Sequence, residues 1–341
     1  MSLDNPNPGA VGALILAANE TEGLSLGKIV WGRFVRHKAA MISAVVLTFT
    51  IIVVLTSIGV GPIPGWWIWT PTDIDPTIVQ GGHPTFSWNG IVPSLGEHPF
   101  GQDQIGRDVF ARTMRGAQVS LLVMVLMGII ATFVGVVIGA FSGFYRGRTD
   151  FVLQRGTEVF IAIPTIVVTA VIGQKFGSSN PAVFGIVLGL LLWPGLTRLV
   201  RAEYLSLRER EFVDAARVAG ATDRAIMFKH ILPNAIGVVI VNATLLMATA
   251  TILEAALSFL GFGIQPPNVS LGNLINEYQT SFSTRPWLFW WPGFFIIVYA
   301  LTINLIGDGL RDAFDPRQRR IPKTKEMSKQ AIAKAETEVA Q

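Results

Sequence analysis

Six long apolar segments constrain the fold of this chain more than any other feature of its sequence. The segments are residues 40–60, 118–142, 151–173, 182–202, 235–257 and 288–309. One helix needs about 20 mainly apolar residues to cross the hydrocarbon layer of a bilayer. Half of the 341 residues are hydrophobic and only 15% are charged, a balance rarely found in soluble domains of this size. The sequence therefore predicts an all-α, polytopic membrane protein with six transmembrane helices.

Positive charges predict which helix ends face the cytoplasm. If the N-terminus lies inside, 22 of the 27 Lys and Arg residues fall in cytoplasmic segments or the adjoining helix ends, and five lie outside. Such an excess is the positive-inside pattern. Three of the five outside charges, Arg107, Arg112 and Arg115, precede the second apolar segment and fit this topology less well. The pattern predicts that both termini are cytoplasmic.

This topology divides the chain into tails, loops and a core. The predicted divisions are a cytoplasmic tail (1–39), the first transmembrane helix (40–60), an extracytoplasmic loop (61–117), a core with five transmembrane helices (118–309) and a cytoplasmic C-terminal tail (310–341). Within the core, residues 203–234 form a cytoplasmic loop. In the first tail, Leu24–Val35 is either the start of an interfacial helix or part of a disordered tail.

Two glycine stripes predict close helix packing. Gly135, Gly139 and Gly143 lie on one face of the second apolar segment, and Gly185 and Gly189 repeat the four-residue spacing in the fourth. Small residues at this spacing let neighbouring helices approach closely in membranes. The stripes indicate packing rather than chemistry.

The polar residues between the fourth and fifth apolar segments predict a helical hairpin. In its first helix, apolar and small residues recur at the i, i+3, i+4, i+7 spacing of one face. These residues are Phe212, Ala215, Ala216 and Ala219. On the polar side, Arg210 and Arg217 can each pair with Asp214. Gly220 suits the left-handed backbone position that ends a helix.

A second short helix follows in this prediction. Thr222 is a suitable N-cap, and Asp223 in the first turn complements the helix dipole. The shared apolar face is Ala225, Phe228 and Leu232. Pro233 is predicted to stop the helix. Periodicity alone leaves two interpretations: a lever that enters the cleft of a soluble partner, or an amphipathic hairpin that lies on the membrane surface.

Few polar residues interrupt the apolar segments. A charge at mid-membrane costs about 2.5–3.5 kcal/mol on insertion scales, so such residues usually have a role. Glu158 and Glu254 are each either a pathway-lining or a structural carboxylate, and Asn242 and Asn304 either line a pathway or bond across helices. The sequence contains no paired proton relay, which disfavours an ion-coupled secondary transporter.

Several classes of function are disfavoured by missing motifs. The chain has no cysteine and only four scattered histidines, and it lacks the His-Glu-x-x-His and Gly-x-Ser-x-Gly patterns, so no catalytic, metal or cofactor residue is predicted. It also lacks the glycine-rich phosphate loop of ATPases. Its basic residues follow membrane sides rather than one soluble patch, which does not favour nucleic-acid binding.

One motif in the hairpin resembles a known family. Asp214-Ala-Ala216, three residues, Gly220, nine residues and then His230-Ile-Leu-Pro233 are similar to the "EAA" loop of permease subunits in ATP-binding-cassette importers. Asp214 stands where that loop has Glu, which keeps the carboxylate. His230 stands where the pattern usually has an apolar residue, and packing or capping is its expected role.

Three further stretches resemble one branch of that family, the second permease of dipeptide, oligopeptide and nickel importers. They are His98–Arg112, Leu257–Pro267 with Ser270–Asn273, and Gly307–Pro316. The resemblance covers roughly residues 30–320. It implies a type I importer permease in a bacterial plasma or inner membrane, forming half of a pathway for dipeptides or oligopeptides. A nickel or other small-solute importer of the same family is the alternative.

The resemblance also implies partners. These are a homologous permease, two ATPase subunits that bind ATP and Mg, an extracytoplasmic solute-binding protein, the peptide and the lipid bilayer. The residues implied to dock on one ATPase are Arg210, Asp214, Ala215, Ala216, Gly220, His230, Leu232 and Pro233. The outer loops Gly101–Asp108 and Gly261–Gly272 are implied to face the binding protein.

Overall fold

Helices dominate the architecture of the computed structural model, which describes residues 26–315 except 86, 90, 91, 95 and 177–179. The helices are α1 Leu26–Arg36, α2 Lys38–Ser57, α3 Val109–Tyr145, α4 Gly147–Ala162, α5 Thr165–Phe176, α6 Pro181–Leu207, α7 Glu211–Val218, α8 Asp223–Phe259, α9 Leu271–Tyr278 and α10 Trp287–Phe314. Most of the first predicted tail, residues 1–25, and the second from residue 316 lie outside the described residues.

Five helices in the described part of the chain are long and apolar enough to cross a membrane: α2, α3, α6, α8 and α10. The pair α4 and α5 makes a sixth span if it is counted as one helix, although its two parts meet at 75°. The break lies at Ile163 and Pro164, where the proline ring removes a backbone donor and clashes with the preceding turn. The predicted all-α membrane fold is confirmed, with its third span bent.

The segment before α3 is built from turns and two short hairpins. β1 (Gly59–Val60) pairs with β2 (Ile63–Pro64), and β3 (Ser87–Asn89) pairs with β4 (Val92–Ser94), both antiparallel. Asp108 then caps α3 by accepting a 2.8 Å hydrogen bond from the backbone N–H of Ala111. The helix therefore begins well before the apolar segment that predicted it.

Carboxylates neutralise two of the charges that fitted the predicted topology poorly. Arg107 forms ion pairs with Asp103 at 2.6 Å and with Glu277 at 2.5 Å. Arg112, which is 3% exposed, pairs with the other oxygen of Glu277 at 2.5 Å. These pairs join the start of α3 to α9, so the arginines have a structural role there.

The α3–α6 interface is closely packed and depends on glycine from both sides. A Cβ atom added to Gly139 would lie 2.7 Å from the carbonyl oxygen of Thr197, and one added to Gly143 would lie 2.7 Å from that of Arg201. In the opposite direction, a Cβ on Gly189 would lie 2.9 Å from the carbonyl oxygen of Met127. The predicted close packing is confirmed for both glycine stripes, and the structure adds that the two stripes belong to the same interface.

Replacing Gly139 by leucine is expected to separate α3 from α6. Overpacking a close interface costs about 1–3 kcal/mol, so the melting temperature of the detergent-purified chain should fall. The control is Gly195→Leu in α6, because a Cβ at Gly195 has no atom within 4 Å. Equal melting temperatures for the two variants would contradict this account of the interface.

Candidate functional site

The first helix of the hairpin, α7, packs against the membrane helices through one of its faces. Val213 and Ala216 are buried, and they join an apolar cluster that includes Tyr204, Met227 and Ile231. The opposite side is exposed and carries Phe212, Ala215, Val218 and Ala219. The prediction that Ala216 belongs to the same face as Ala215 is wrong, because the helix turns the larger Val213 inward and Ala216 lies one turn beyond it.

Gly220 ends α7 in the conformation that its residue type predicts. Its backbone φ angle is +82°, in a region that residues other than glycine and asparagine seldom adopt. The N–H of Ala221 donates to the carbonyl of Ala216 at 3.0 Å, and the N–H of Gly220 donates to that of Arg217 at 2.9 Å. This pair of bonds is a Schellman motif, and it fixes the direction in which the chain leaves α7.

The second arm of the hairpin is the N-terminal part of a membrane helix. Thr222 caps it as predicted, since its Oγ1 accepts from the N–H of Ala225 at 3.4 Å. Pro233 does not stop it, so that prediction is wrong. A π-helical turn covers Ile226–Ile231, and its wider winding leaves room for the proline ring. As a result α8 runs without interruption from Asp223 to Phe259.

The π-helical turn also changes which residues of this arm face inward. The predicted face, Ala225, Phe228 and Leu232, is half-buried or exposed. Instead Ile226, Met227 and Ile231 are fully buried. A turn with one extra residue rotates the following side chains relative to a regular helix, which a 3.6-residue period does not anticipate.

Polar contacts tie the hairpin to two further helices. The Tyr204 hydroxyl of α6 donates to the Met227 carbonyl at 3.1 Å inside the apolar cluster. The Arg208 guanidinium, just after α6, donates to the carbonyl of Phe144 in α3. The hairpin therefore contacts the C-terminal ends of α3 and α6 and is covalently continuous with α8, so the three helices and the hairpin form one packed unit.

The predicted docking residues are partly brought together on the open side of the hairpin. Arg210, Asp214, Ala215, Gly220 and Pro233 are exposed, His230 and Leu232 are half-buried, and Ala216 is buried. The predicted Asp214–Arg217 pair is present at 3.4 Å, with both side chains exposed. A surface pair of this kind contributes little stability, so these charges are available to a partner.

The predicted polar residues of the membrane segments lie apart from one another. Glu254 is 1% exposed and accepts hydrogen bonds from Ser120 and Ser258, each at 2.8 Å, which joins α8 to α3. Asn242 donates to the Val238 carbonyl of its own helix at 2.8 Å, and Asn304 is exposed. Glu158 is half-exposed and pairs with Arg155 at 2.8 Å. Glu254 thus serves as a structural carboxylate.

A buried histidine in the segment before α3 was not singled out by the sequence reasoning. His98 is 1% exposed, and its ring nitrogens lie 2.9 Å from Asp108 and 3.4 Å from Asp75. Burial disfavours its charged form, but the two carboxylates outweigh that effect and raise the pKa of His98. The signal available in the sequence was its place at the start of the His98–Arg112 stretch. Within the described ranges, no group of three His, Cys, Asp or Glu residues is arranged to hold a metal ion.

Stability is expected to fall as pH rises because of His98. Its pKa in the folded chain lies above the unfolded value near 6.5, so the stabilisation is complete below that pH and is lost as pH rises through the folded pKa. The melting temperature of the purified chain should therefore decrease from about pH 6 to pH 9, and this decrease should be weaker in His98→Gln. The control is His83→Gln, an exposed histidine, and an unchanged pH profile in His98→Gln would contradict the assignment.

Comparison with known proteins gives a consistent result over most of the chain. Residues 135–320 match the family described as "Binding-protein-dependent transport system inner membrane component". Residues 25–79 match the "N-terminal TM domain of oligopeptide transport permease C". The first match contains the hairpin, and the second contains α1 and α2.

Individual relatives align over nearly their whole length. A Brucella ovis protein described as a peptide permease is 41% identical over 287 residues, which cover 84% of this chain and 89% of the relative. The oligopeptide transport system permease protein OppC of Haemophilus influenzae is 37% identical over 88% of this chain and 91% of its own. The OppC protein of Mycobacterium bovis is 35% identical over 88% and 98%, respectively.

Proposed function

Because this chain belongs to the family of binding-protein-dependent transport system inner membrane components, we propose that it forms half of the solute pathway in an ATP-driven peptide importer. The names of the aligned relatives, a peptide permease and two oligopeptide permeases, support a peptide as the solute. The chain itself is a multi-pass membrane permease. Its role is to conduct the solute, not to modify it.

The proposed assembly contains four further subunits. A homologous permease completes the pathway, two ATPase subunits bind ATP and Mg in the cytoplasm, and an extracytoplasmic protein delivers the peptide. The absence of a phosphate loop in this sequence supports a separate ATPase. In this arrangement both termini and the hairpin are cytoplasmic, and the loops Gly101–Asp108 and Gly261–Gly272 face the binding protein.

The observation that carries the proposal is the way the hairpin is seated. One side of α7 is buried against the C-terminal ends of α3 and α6 and the start of α8, while the other side presents Phe212, Ala215 and Ala219 to the exterior. This shallow apolar side, flanked by Arg210 and Asp214, suits the cleft of a soluble partner. A partner that moves the hairpin also moves three membrane helices, because they pack as one unit.

The free energy of ATP binding reaches the permease through the contact between the hairpin and the ATPase. ATP binding favours the closed form of the ATPase pair, and differential affinity for two conformations is what lets a ligand shift an equilibrium. Closure displaces the two hairpins of the permease pair as rigid bodies, and the attached helices change the side from which the pathway is open.

Affinity purification from the native membrane tests the proposal. The tagged chain should bring down a second permease, ATPase subunits and a binding protein that holds a peptide. A bound nickel complex would instead assign the chain to a metal importer of the same family. Isolation of the chain without any ATPase, under conditions that preserve membrane complexes, would contradict the proposal.

A further inference from the structure

The bent helix pair α4–α5 is the least covered part of the described membrane region. Thr157 is the buried residue of α4, whereas large apolar side chains such as Phe151, Val159 and Ile166 are exposed. In α3, by contrast, buried residues occur along most of the helix. Something outside this chain therefore covers α4 and α5, and lipid, a protein partner or water are the candidates.

Two charges on α4 argue against lipid. Arg155 and Glu158 form an ion pair at 2.8 Å, and their side chains are 66% and 50% exposed. Counted from the start of the predicted third span at residue 151, they lie four and seven residues along, roughly 6 and 10 Å along the helix axis. Ionisable groups inside a membrane almost always face the bundle interior or a water-filled cavity.

The break between α4 and α5 is a second observation against lipid as the cover of this side. Pro164 has no N–H for the carbonyl of Phe160, and Ile163 and Pro164 are both exposed at a bend of 75°. Non-helical backbone at membrane depth is tolerated where it is buried in protein or lines water. The exposed side of the break therefore meets the second permease or the aqueous pathway between the two permeases.

A charged cavity lies at the inner end of the same side. Its volume is about 420 Å³, within the roughly 300–1,000 Å³ of small-molecule sites. Asp150, Gln154, Arg155, Glu158 and Arg201 line it. Asp150 and Arg201 satisfy each other through two hydrogen bonds of 2.7 Å. Arg155 and Glu158 share one hydrogen bond, and the Arg155 guanidinium also lies over the Phe151 ring at 5.3 Å, which leaves hydrogen-bonding capacity on both charged groups for a ligand.

We propose that the exposed side of α4–α5 lines the solute pathway, and that Arg155 and Glu158 receive a zwitterionic peptide in the cavity at its inner end. Arg155 pairs with the carboxylate of the peptide and Glu158 with its ammonium group. Opposite charges on one helix face match a solute that carries both charges. This inference rests on the proposed function and adds the position of the pathway to it.

Single cysteines test the inference directly, because the natural chain contains none. Gln154→Cys places a thiol in the lining of the cavity that Arg155 and Glu158 share, and Ile161→Cys places one on the exposed side of α4. The control is Phe133→Cys on α3, which is 67% exposed and lines an entirely apolar surface with Ile129 and Val136. The variants are assembled with their partner subunits in proteoliposomes and treated with a membrane-impermeant, charged thiol reagent. Only the thiolate reacts, and burial in apolar surroundings raises the thiol pKa.

The expected result is that Gln154→Cys and Ile161→Cys react at least about tenfold faster than Phe133→Cys, as a difference of one unit in thiol pKa would produce. A transported dipeptide with free termini should slow the reaction of Gln154→Cys, and the same dipeptide with blocked termini should not. Reaction of Gln154→Cys and Ile161→Cys as slow as that of Phe133→Cys, in assemblies that still take up peptide with ATP, would overturn the inference and leave the proposed function intact. Equal protection by both dipeptides would overturn the assignment of a zwitterion. Failure of the unmodified assembly to take up peptide would instead contradict the proposed function itself.

Discussion

Replacing Gly220 by valine is expected to uncouple ATP hydrolysis from uptake while the chain still inserts into the membrane. At φ +82° a residue with a Cβ costs about 1–2 kcal/mol, and β-branching adds to the strain. A Cβ at this position meets no atom within 4 Å, so the effect is conformational and not a clash. Relief of the strain breaks the Schellman bonds, and α7 loses its fixed direction relative to α8.

The matched control is Gly220→Asn, because asparagine tolerates the left-handed region. Substrate-stimulated ATP hydrolysis and peptide uptake are measured together in the reconstituted assembly. The asparagine variant should stay close to the natural chain, and the valine variant should lose uptake per ATP hydrolysed. Normal uptake by the valine variant would show that the hairpin does not carry the coupling.

Replacing Val213 by aspartate is expected to disrupt the packing of the hairpin against the membrane helices and to destabilise the chain. Val213 is fully buried in the cluster formed by α3, α6, α7 and α8. Burial of an unpaired charge is one of the few causes of very large effects, here on the order of 4 kcal/mol. The purified Val213→Asp chain should melt at a clearly lower temperature, and its assembly should lose uptake.

The variant Val218→Asp separates the packing of α7 against the membrane helices from the binding of α7 to the ATPase. Val218 belongs to the same helix but is 91% exposed, so its replacement should leave the melting temperature unchanged. Because it lies on the open side of α7, the same change should weaken association with the ATPase in a pull-down assay. Equal losses of stability in the two variants would contradict the description of which side of α7 is buried.

Composition and spacing predicted most of the fold. The apolar segments located the membrane helices, the glycine stripes located helix faces that pack closely, and Gly220 located the end of α7. These features follow local rules: the thickness of a bilayer, the size of a side chain and the sign of a backbone angle. Each could therefore be predicted without knowledge of the neighbouring elements.

The predictions that failed concern features that depend on tertiary packing. A proline usually ends a helix, but at Pro233 a π-helical turn accommodates the ring, and α8 continues because Ile226, Met227 and Ile231 fill the cluster beneath α7. Ala216 turned inward for the same reason. The cluster of His98, Asp75 and Asp108 joins residues up to 33 positions apart, which no short spacing indicates.

Reconstitution in proteoliposomes tests the central claim, that a separate ATPase drives this permease through the α7–α8 hairpin. The purified chain alone should neither hydrolyse ATP nor carry peptide, and the assembly with its partner permease, ATPases and binding protein should do both. Gly220→Val should abolish uptake in that assembly and Gly220→Asn should not. Peptide uptake by the chain alone, driven by an ion gradient in the absence of any ATPase, would contradict the account.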